Sequence, residues 1–264
     1  MTDDSTHATG RRLQGRVALI TGASRGLGAA AARRFVAEGA AVALAHEPSD
    51  RMAGLTRDLA AELEAAGGRT CVLAADLGDP TGPGRLVEQA RERLGPLDIL
   101  VANAADQRRA AIAEISVEDW DALQAVNVRG TFLLAQAAAP DLIASGHGSI
   151  ITLTSVMAAV GFPLLATNYV TSKGAILSMT RALARELGPQ GVRANAIMPG
   201  AIRTEAEVEN SDAEQTAAVF LPLQSLKRRG VADDLAGAFA FLASDDSAFI
   251  TGQVLCIDGG WVLR

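Results

Sequence analysis

Cysteine is nearly absent from this chain. Cys71 and Cys256 each sit inside an apolar, strand-like run, with no metal-ligand spacing and no disulfide framework around them. Histidine is equally sparse: His7, His46 and His147 are scattered and suggest no metal cluster, so no metal site is expected. No apolar run approaches the roughly 20 residues that a bilayer-crossing helix needs, and no membrane partner is expected. Residues 1–15 are polar and lack a signal-peptide core, so residues 1–14 are expected to form a flexible tail ahead of a single catalytic domain over 15–264. A net charge of −6 argues against sequence-blind nucleic-acid binding. No internal repeat, low-complexity tract or long linker interrupts the chain. These absences together point to a cytoplasmic enzyme.

What is present is a generous core. Hydrophobic residues make up 49% and charged residues 20% of 264 residues, enough for one large α/β domain. Short β-like runs at residues 16–21, 41–45, 70–75, 98–102, 149–154, 193–197 and 254–257 alternate with longer helical patterns. One of these, a single long helix opening with Ser116 as N-cap, is expected to run to about residue 144. Strict alternation, with strands too apolar to be solvated on either face, predicts a doubly wound Rossmann-type parallel sheet of about seven strands with helices on both faces. Residues 203–226 lack strand character and are expected to form a substrate flap.

Two local patterns carry chemistry. Tyr169 and Lys173 stand four apart in a helical stretch and so leave the same face as neighbours. An ammonium beside a phenol favours the phenolate, which would lower a pKa that is otherwise about 10 and equip the tyrosine for proton transfer. The second pattern is the run Thr21-Gly22-Ala23-Ser24-Arg25-Gly26-Leu27-Gly28, which joins the first strand to the first helix. Glycines at 22, 26 and 28 let backbone approach a diphosphate, and the helix N-terminus offers free N–H groups and a positive dipole end. Its spacing is G-x-x-x-G-x-G, and it lies at the first βα junction, where a doubly wound sheet binds nucleotides.

With that glycine run, Asn103-Ala104, Asn127, Ser155, Tyr169-x-x-x-Lys173 and Pro199-Gly200, the chain resembles the single-domain short-chain dehydrogenases/reductases from about residue 13 to 263. The resemblance implies an NAD(P)-dependent oxidoreductase that interconverts a secondary alcohol and a ketone by hydride transfer. It makes Tyr169 the general acid/base. Lys173 binds the nicotinamide ribose and lowers the tyrosine pKa, and Asn127 holds a water in a proton relay. Ser155, at the carboxyl end of the fifth strand, is where a hydroxyl can hydrogen-bond the reacting oxygen. The interval from Ser155 to Tyr169 is 14 residues, one longer than in many relatives.

The cofactor contacts implied are Gly22, Ser24, Arg25, Gly26, Leu27, Gly28, His46, Asp76, Leu77, Asn103, Ala104, Tyr169, Lys173, Pro199, Gly200, Ile202 and Thr204. Ala105 replaces a glycine usual in relatives. At the end of the second strand, His46 stands where users of NAD usually carry an aspartate. Arg25 resembles the basic residue of NADP users, with Arg51 near enough to help and Glu47 arguing the other way. The cofactor expected is NADP, otherwise NAD.

The apolar run 156–165 is expected to wall the substrate. The acids of the flap (Glu205, Glu207, Glu209, Asp212, Glu214) favour a neutral carbonyl or alcohol substrate. Reduction of 3-oxoacyl groups on acyl carrier protein is the rival activity, left open by the basic Lys227-Arg228-Arg229. A non-catalytic dinucleotide-binding regulator is disfavoured, because such a protein would be expected to lose the tyrosine or lysine. Relatives pair their apolar fourth and fifth helices and C-terminal tails, so a homo-oligomer, dimer or tetramer, is implied.

Overall fold

The structure is a computed structural model that describes residues 11–161, 166–210 and 212–263. Seven strands form one sheet in the order β3-β2-β1-β4-β5-β6-β9. They are β1 (Val17–Thr21), β2 (Ala41–His46), β3 (Arg69–Ala74), β4 (Ile99–Ala102), β5 (Ser149–Leu153), β6 (Arg193–Pro199) and β9 (Val254–Ile257). Every pairing is parallel. Because successive side chains point to opposite faces, the strands feed two cores. Ile20, Val42, Leu44, Ile99 and Val101 join one core, while Leu19, Ala43 and Leu100 join the other. The expected sheet, buried on both faces, is the one observed.

The first core is closed by α1 (Gly26–Ala37), α2 (Asp50–Ala65) and α10 (Asp233–Ala243), and the second by α3 (Gly82–Leu94), α5 (Thr131–Ser145) and α7 (Thr167–Leu187). Alanines 29–32 of α1 are all buried, which lets α1 lie close to the sheet and to Phe239 of α10. Local signals behave as their chemistry requires. Ser116 caps α4 (Val117–Gln124), its Oγ accepting from the Asp119 amide at 3.0 Å, and Ser49 caps α2 in the same way.

Three boundaries differ from expectation. Residues 11–14 are not tail: Leu13 is fully buried, and Arg12 chelates Glu38 with a shortest contact of 2.7 Å. That hydrogen-bonded guanidinium, helped by Arg34, draws the Glu38 carboxyl down to about 2. Residues 1–10 of the expected tail lie outside the described residues. The long helix expected from Ser116 is interrupted by a π-helical turn over Ala125–Gly130, after which it continues as α5. The expected flap is clasped at its edges by strand: β7 (Ile202–Arg203), at its first residue, pairs in parallel with β8 (Gly230–Val231), just beyond its end. Between them lie α8 (Glu205–Asn210) and α9 (Ala213–Phe220), whose last ring packs against Trp261 at 5.5 Å.

The strand order reverses between β1 and β4. One branch of the chain goes out through β2 and β3, the other through β5, β6 and β9. Crossovers diverge there, leaving a crevice at the carboxyl ends of the strands, the usual ligand site of such sheets.

Candidate active site

The glycine turn begins where β1 ends. Gly22 and Gly26 adopt left-handed φ of 64° and 57°, which only glycine holds without strain. Gly28 is required for closeness: a Cβ there would stand 2.2 Å from the Gly22 carbonyl oxygen. Asn103, just past β4, locks the turn, its Nδ2 donating to the carbonyls of Thr21 (2.9 Å) and Gly22 (3.1 Å). Thr21 Oγ1 accepts from the amides of Asn103 and Ala104 at 3.1 Å each. Ala105 avoids positive φ, so the missing glycine brings no backbone strain.

Beside this turn lies a cleft of about 370 Å³, lined by Gly22, His46, Glu47, Asp76, Leu77, Ala104 and others. His46 is buried, with its Nδ1 2.6 Å from the Glu47 carbonyl oxygen. Asp76 is exposed and caps its own loop by accepting from the Gly78 amide at 2.7 Å. Leu77 is buried at the cleft floor, and Leu27 packs on the core beneath the turn. Ser24 accepts from Thr56 at 2.9 Å, which fixes the turn to α2. Gly200, after β6, passes so close to Asp258 that a Cβ would sit 2.6 Å from its Cα. Ile202 packs on the core, and Thr204 lies 3.4 Å from where a Gly26 Cβ would be. Pro199 and Gly200 thus bring the flap back over the glycine turn.

The turn already holds anions of the protein itself. The Gly26 amide, at the N-terminus of α1, donates to a Glu205 carboxylate oxygen at 3.0 Å. Arg25 and Arg51 both grip Glu209, the first at 2.6 Å. A Gly-lined cradle that a Cβ would fill, a helix-end amide that takes a carboxylate and converging guanidiniums fit a dinucleotide phosphate group.

The reacting residues come together at the other end of the crevice. Tyr169, Lys173 and Ser155 are all buried. Ser155 sits two residues past the end of β5, in the turn to α6 (Met157–Val160), where its Oγ accepts from the Met157 amide at 3.3 Å and its hydroxyl favours the phenolate of Tyr169. Lys173 Nζ lies 5.6 Å from the Tyr169 ring centroid and donates to the Leu153 carbonyl at 2.9 Å. Burial lowers its pKa to about 8, so it stays largely protonated at neutral pH.

Here the structure corrects an expectation. Burial pushes the Tyr169 phenol above its ordinary value, and Arg109 and the Ser155 hydroxyl only partly draw it back. Arg109 follows β4, its guanidinium carbon 5.6 Å from the centre of the Tyr169 ring. The basic pair Arg108-Arg109 was visible in the sequence. Nothing there told that Arg108 is consumed by Asp106 and Asp119 while Arg109 reaches the tyrosine.

Asn127 lies in the π-helical turn and is buried. Its Nδ2 donates to the Asp106 carbonyl and to Ser172 Oγ, both at 3.0 Å, and its Oδ1 accepts from the Asp106 amide at 2.7 Å. Both amide hydrogens are therefore taken up in tying the Asp106 loop to α7. Of the expected substrate wall, Val156 and Met157 are buried beside Ser155; residues 162–165 lie outside the described residues. Three of the five flap acids are not free to repel a substrate, since Glu205 and Glu209 face the glycine turn and Glu207 pairs with Arg229; Asp212 caps α9.

The family model for enoyl-(acyl carrier protein) reductase matches residues 22–262. A subunit of (2S)-[(R)-hydroxy(phenyl)methyl]succinyl-CoA dehydrogenase from Thauera aromatica is 38% identical, the match covering 94% of this chain and 97% of the relative. A 3-oxoacyl-[acyl-carrier-protein] reductase from Thermotoga maritima is 36% identical over 96% of this chain and 100% of the relative. A blue fluorescent protein from a metagenomic library, solved with NADPH, superposes with a TM-score of 0.88 at 38% identity, covering 96% of this chain and 100% of that one. The chain belongs to the short-chain dehydrogenase/reductase family. Its activity class is NAD(P)-dependent oxidoreduction at a CH–OH group. For this dehydrogenase/reductase, no helix among the described residues is long and apolar enough to cross a membrane, and no metal-binding group of side chains is found among them.

Proposed function

We propose that this protein reversibly interconverts a secondary alcohol and a ketone, with NADP as its preferred nucleotide and Tyr169 as general acid/base. The observation that carries the proposal is the convergence of Tyr169, Ser155 and Lys173, all buried, at the carboxyl end of β5. When bound, the dinucleotide supplies or accepts the hydride. In the reductive direction, Ser155 Oγ donates a hydrogen bond to the carbonyl oxygen and stabilises the negative charge developing on it. Tyr169 delivers its hydroxyl proton to that oxygen as the alcohol forms; in oxidation it takes the proton back. A phenol raised by burial is a ready holder of that proton. Arg109 and Ser155 oppose the rise and keep the phenolate reachable.

Lys173 anchors a ribose hydroxyl and, through the Leu153 carbonyl, fixes α7 against β5. Asn127 positions the reacting face by joining α7 to the Asp106 loop; a relay water bound there would have the second Oδ1 lone pair as its acceptor. Gly22, Gly26 and Gly28 seat the diphosphate, Asp76 and Leu77 the adenine side, and Asn103, Ala104, Pro199, Gly200, Ile202 and Thr204 the walls. Ser24 and Leu27 position the turn. His46 stands in place of the usual carboxylate, and Arg25 and Arg51 would supply cations that outweigh the neighbouring Glu47 there. Relatives solved with NADPH and NADP support this preference. Reduction of acyl-carrier substrates is not preferred, because likeness to the Thermotoga maritima enzyme, at 36%, is no greater than to a probable galactose dehydrogenase of Rhizobium meliloti, at 37%.

Exposed Phe132 on α5 borders a groove with Asp121, Gln124, Arg129 and Met179, which supports self-association through this face. Its occupant would be a second copy, in the cytoplasm. The deciding experiment is a panel of ketones and alcohols assayed with both nucleotides by nicotinamide absorbance, on the natural protein and on Tyr169→Phe. Turnover by the first and a loss of about 10³-fold by the second are expected; equal rates would remove Tyr169 from the chemistry.

A further inference from the structure

The six residues of α8 carry acids at 205, 207 and 209. Positions four apart share a helix face, while the residue between them points elsewhere. Glu207 accordingly turns to Arg229, whose Nη2 reaches both carboxylate oxygens at 2.7 and 2.8 Å. Glu205 and Glu209 turn to the glycine turn. One accepts from the Gly26 amide at 3.0 Å; the other closes on Arg25 and Arg51 together.

These two carboxylates occupy two distinct kinds of anion position. The Gly26 amide belongs to the N-terminus of the 12-residue α1, the place of a diphosphate. Arg25 and Arg51 would face the adenosine ribose of a bound cofactor. Both NAD and NADP carry the diphosphate, and NADP alone carries the 2′-phosphate. Arg25 and Glu209 keep 27% and 38% of their side chains exposed, and exposed pairs of this kind contribute little and exchange readily.

We propose that α8 is an internal stand-in for the cofactor's phosphates, and that Glu209 sets the NADP/NAD ratio by competing for the two arginines that a 2′-phosphate needs. Glu205 competes with the diphosphate and so acts on both nucleotides alike. Arg229, holding Glu207, keeps α8 tethered when its outer face lets go. This inference rests on the reading of Arg25 and Arg51 as the 2′-phosphate site.

The test is equilibrium binding of NADPH and NADH to the full chain, followed by nicotinamide fluorescence, with 2′,5′-ADP titrated calorimetrically as a probe that lacks the nicotinamide. Glu209→Gln is expected to tighten NADPH and 2′,5′-ADP about fivefold, equivalent to about 1 kcal/mol, and to change NADH by less than about 1.5-fold. Glu205→Gln is expected to tighten NADPH and NADH by the same factor. Equal effects of Glu209→Gln on both nucleotides, or none on either, would overturn the proposal while leaving the oxidoreductase reading intact. If the natural protein binds NADPH but Arg25→Ala does not weaken it, the 2′-phosphate site itself is misplaced and the inference falls with it. Failure of the natural protein to bind either nucleotide would sink both readings.

Discussion

The two ends of the crevice are built differently. Around Tyr169, polar groups are buried and engaged by fixed partners: Lys173 by the Leu153 carbonyl, Asn127 by Asp106 and Ser172, Ser155 by the Met157 amide. Around the glycine turn, the charged contacts are exposed and run between a rigid βα junction and a short flap helix. Buried hydrogen bonds are costly to break because their partners are left unsatisfied, whereas exposed ion pairs trade one partner for another at little cost. The reacting end is therefore preorganised, and the phosphate end is exchangeable. A proton-transfer geometry must not drift, but a site that loads and unloads a charged cofactor must give way.

The largest break in this contrast is Tyr169→Phe, which should remove about three orders of magnitude of turnover while nucleotide binding, held by many other contacts, is retained. Next comes Gly28→Ala. Its Cβ would stand 2.2 Å from the Gly22 carbonyl oxygen and 2.8 Å from Asn103 Nδ2, and neither can retreat without opening the turn. Loss of measurable NADPH and NADH binding together is expected by fluorescence titration, with turnover falling as a consequence. Were Gly28→Ala to bind normally, the turn would be more pliable than its contacts with Asn103 imply.

Much of this was legible in the sequence. The glycine turn, Tyr169 with Lys173, and the alternating elements depend on local rules: period-two burial, helical spacing and the steric freedom of glycine. Each leaves a mark within a few residues. The flap was only half legible. Its acids could be counted, but their partners, Arg25, Arg51 and Arg229, are 184, 158 and 22 positions away in the chain. A charge run without partners looks like a repulsive wall; with partners it becomes a latch. The error at Tyr169 has the same origin. A neighbour at i+4 is visible in sequence, whereas burial and the approach of Arg109 from the loop after β4 are tertiary. Leu13 was missed because one apolar residue in a polar segment has no periodicity to betray it.

Arg25→Ala tests the exchangeable end with a smaller effect. The NADP/NAD ratio of kcat/KM should fall about tenfold, equivalent to about 1.4 kcal/mol, as one of two cations facing the 2′-phosphate is lost. Turnover at saturating nucleotide should change little, since the reacting end is separately held. An unchanged ratio would refute the assignment of Arg25.

Arg109→Leu should have the smallest effect and probes the reacting end from outside. Arg109 is exposed, and its cation favours the phenolate of Tyr169 over the phenol. Removing it leaves burial less opposed, so the phenol pKa rises further. In the oxidative direction the base form of Tyr169 is required, and the rising limb of kcat/KM against pH should therefore move to higher pH. In the reductive direction the acid form is required, and the falling limb should move the same way. A structural role alone would lower rates without displacing either limb, and a displacement to lower pH would place the Arg109 charge nearer some other titrating group than the tyrosine it overlies.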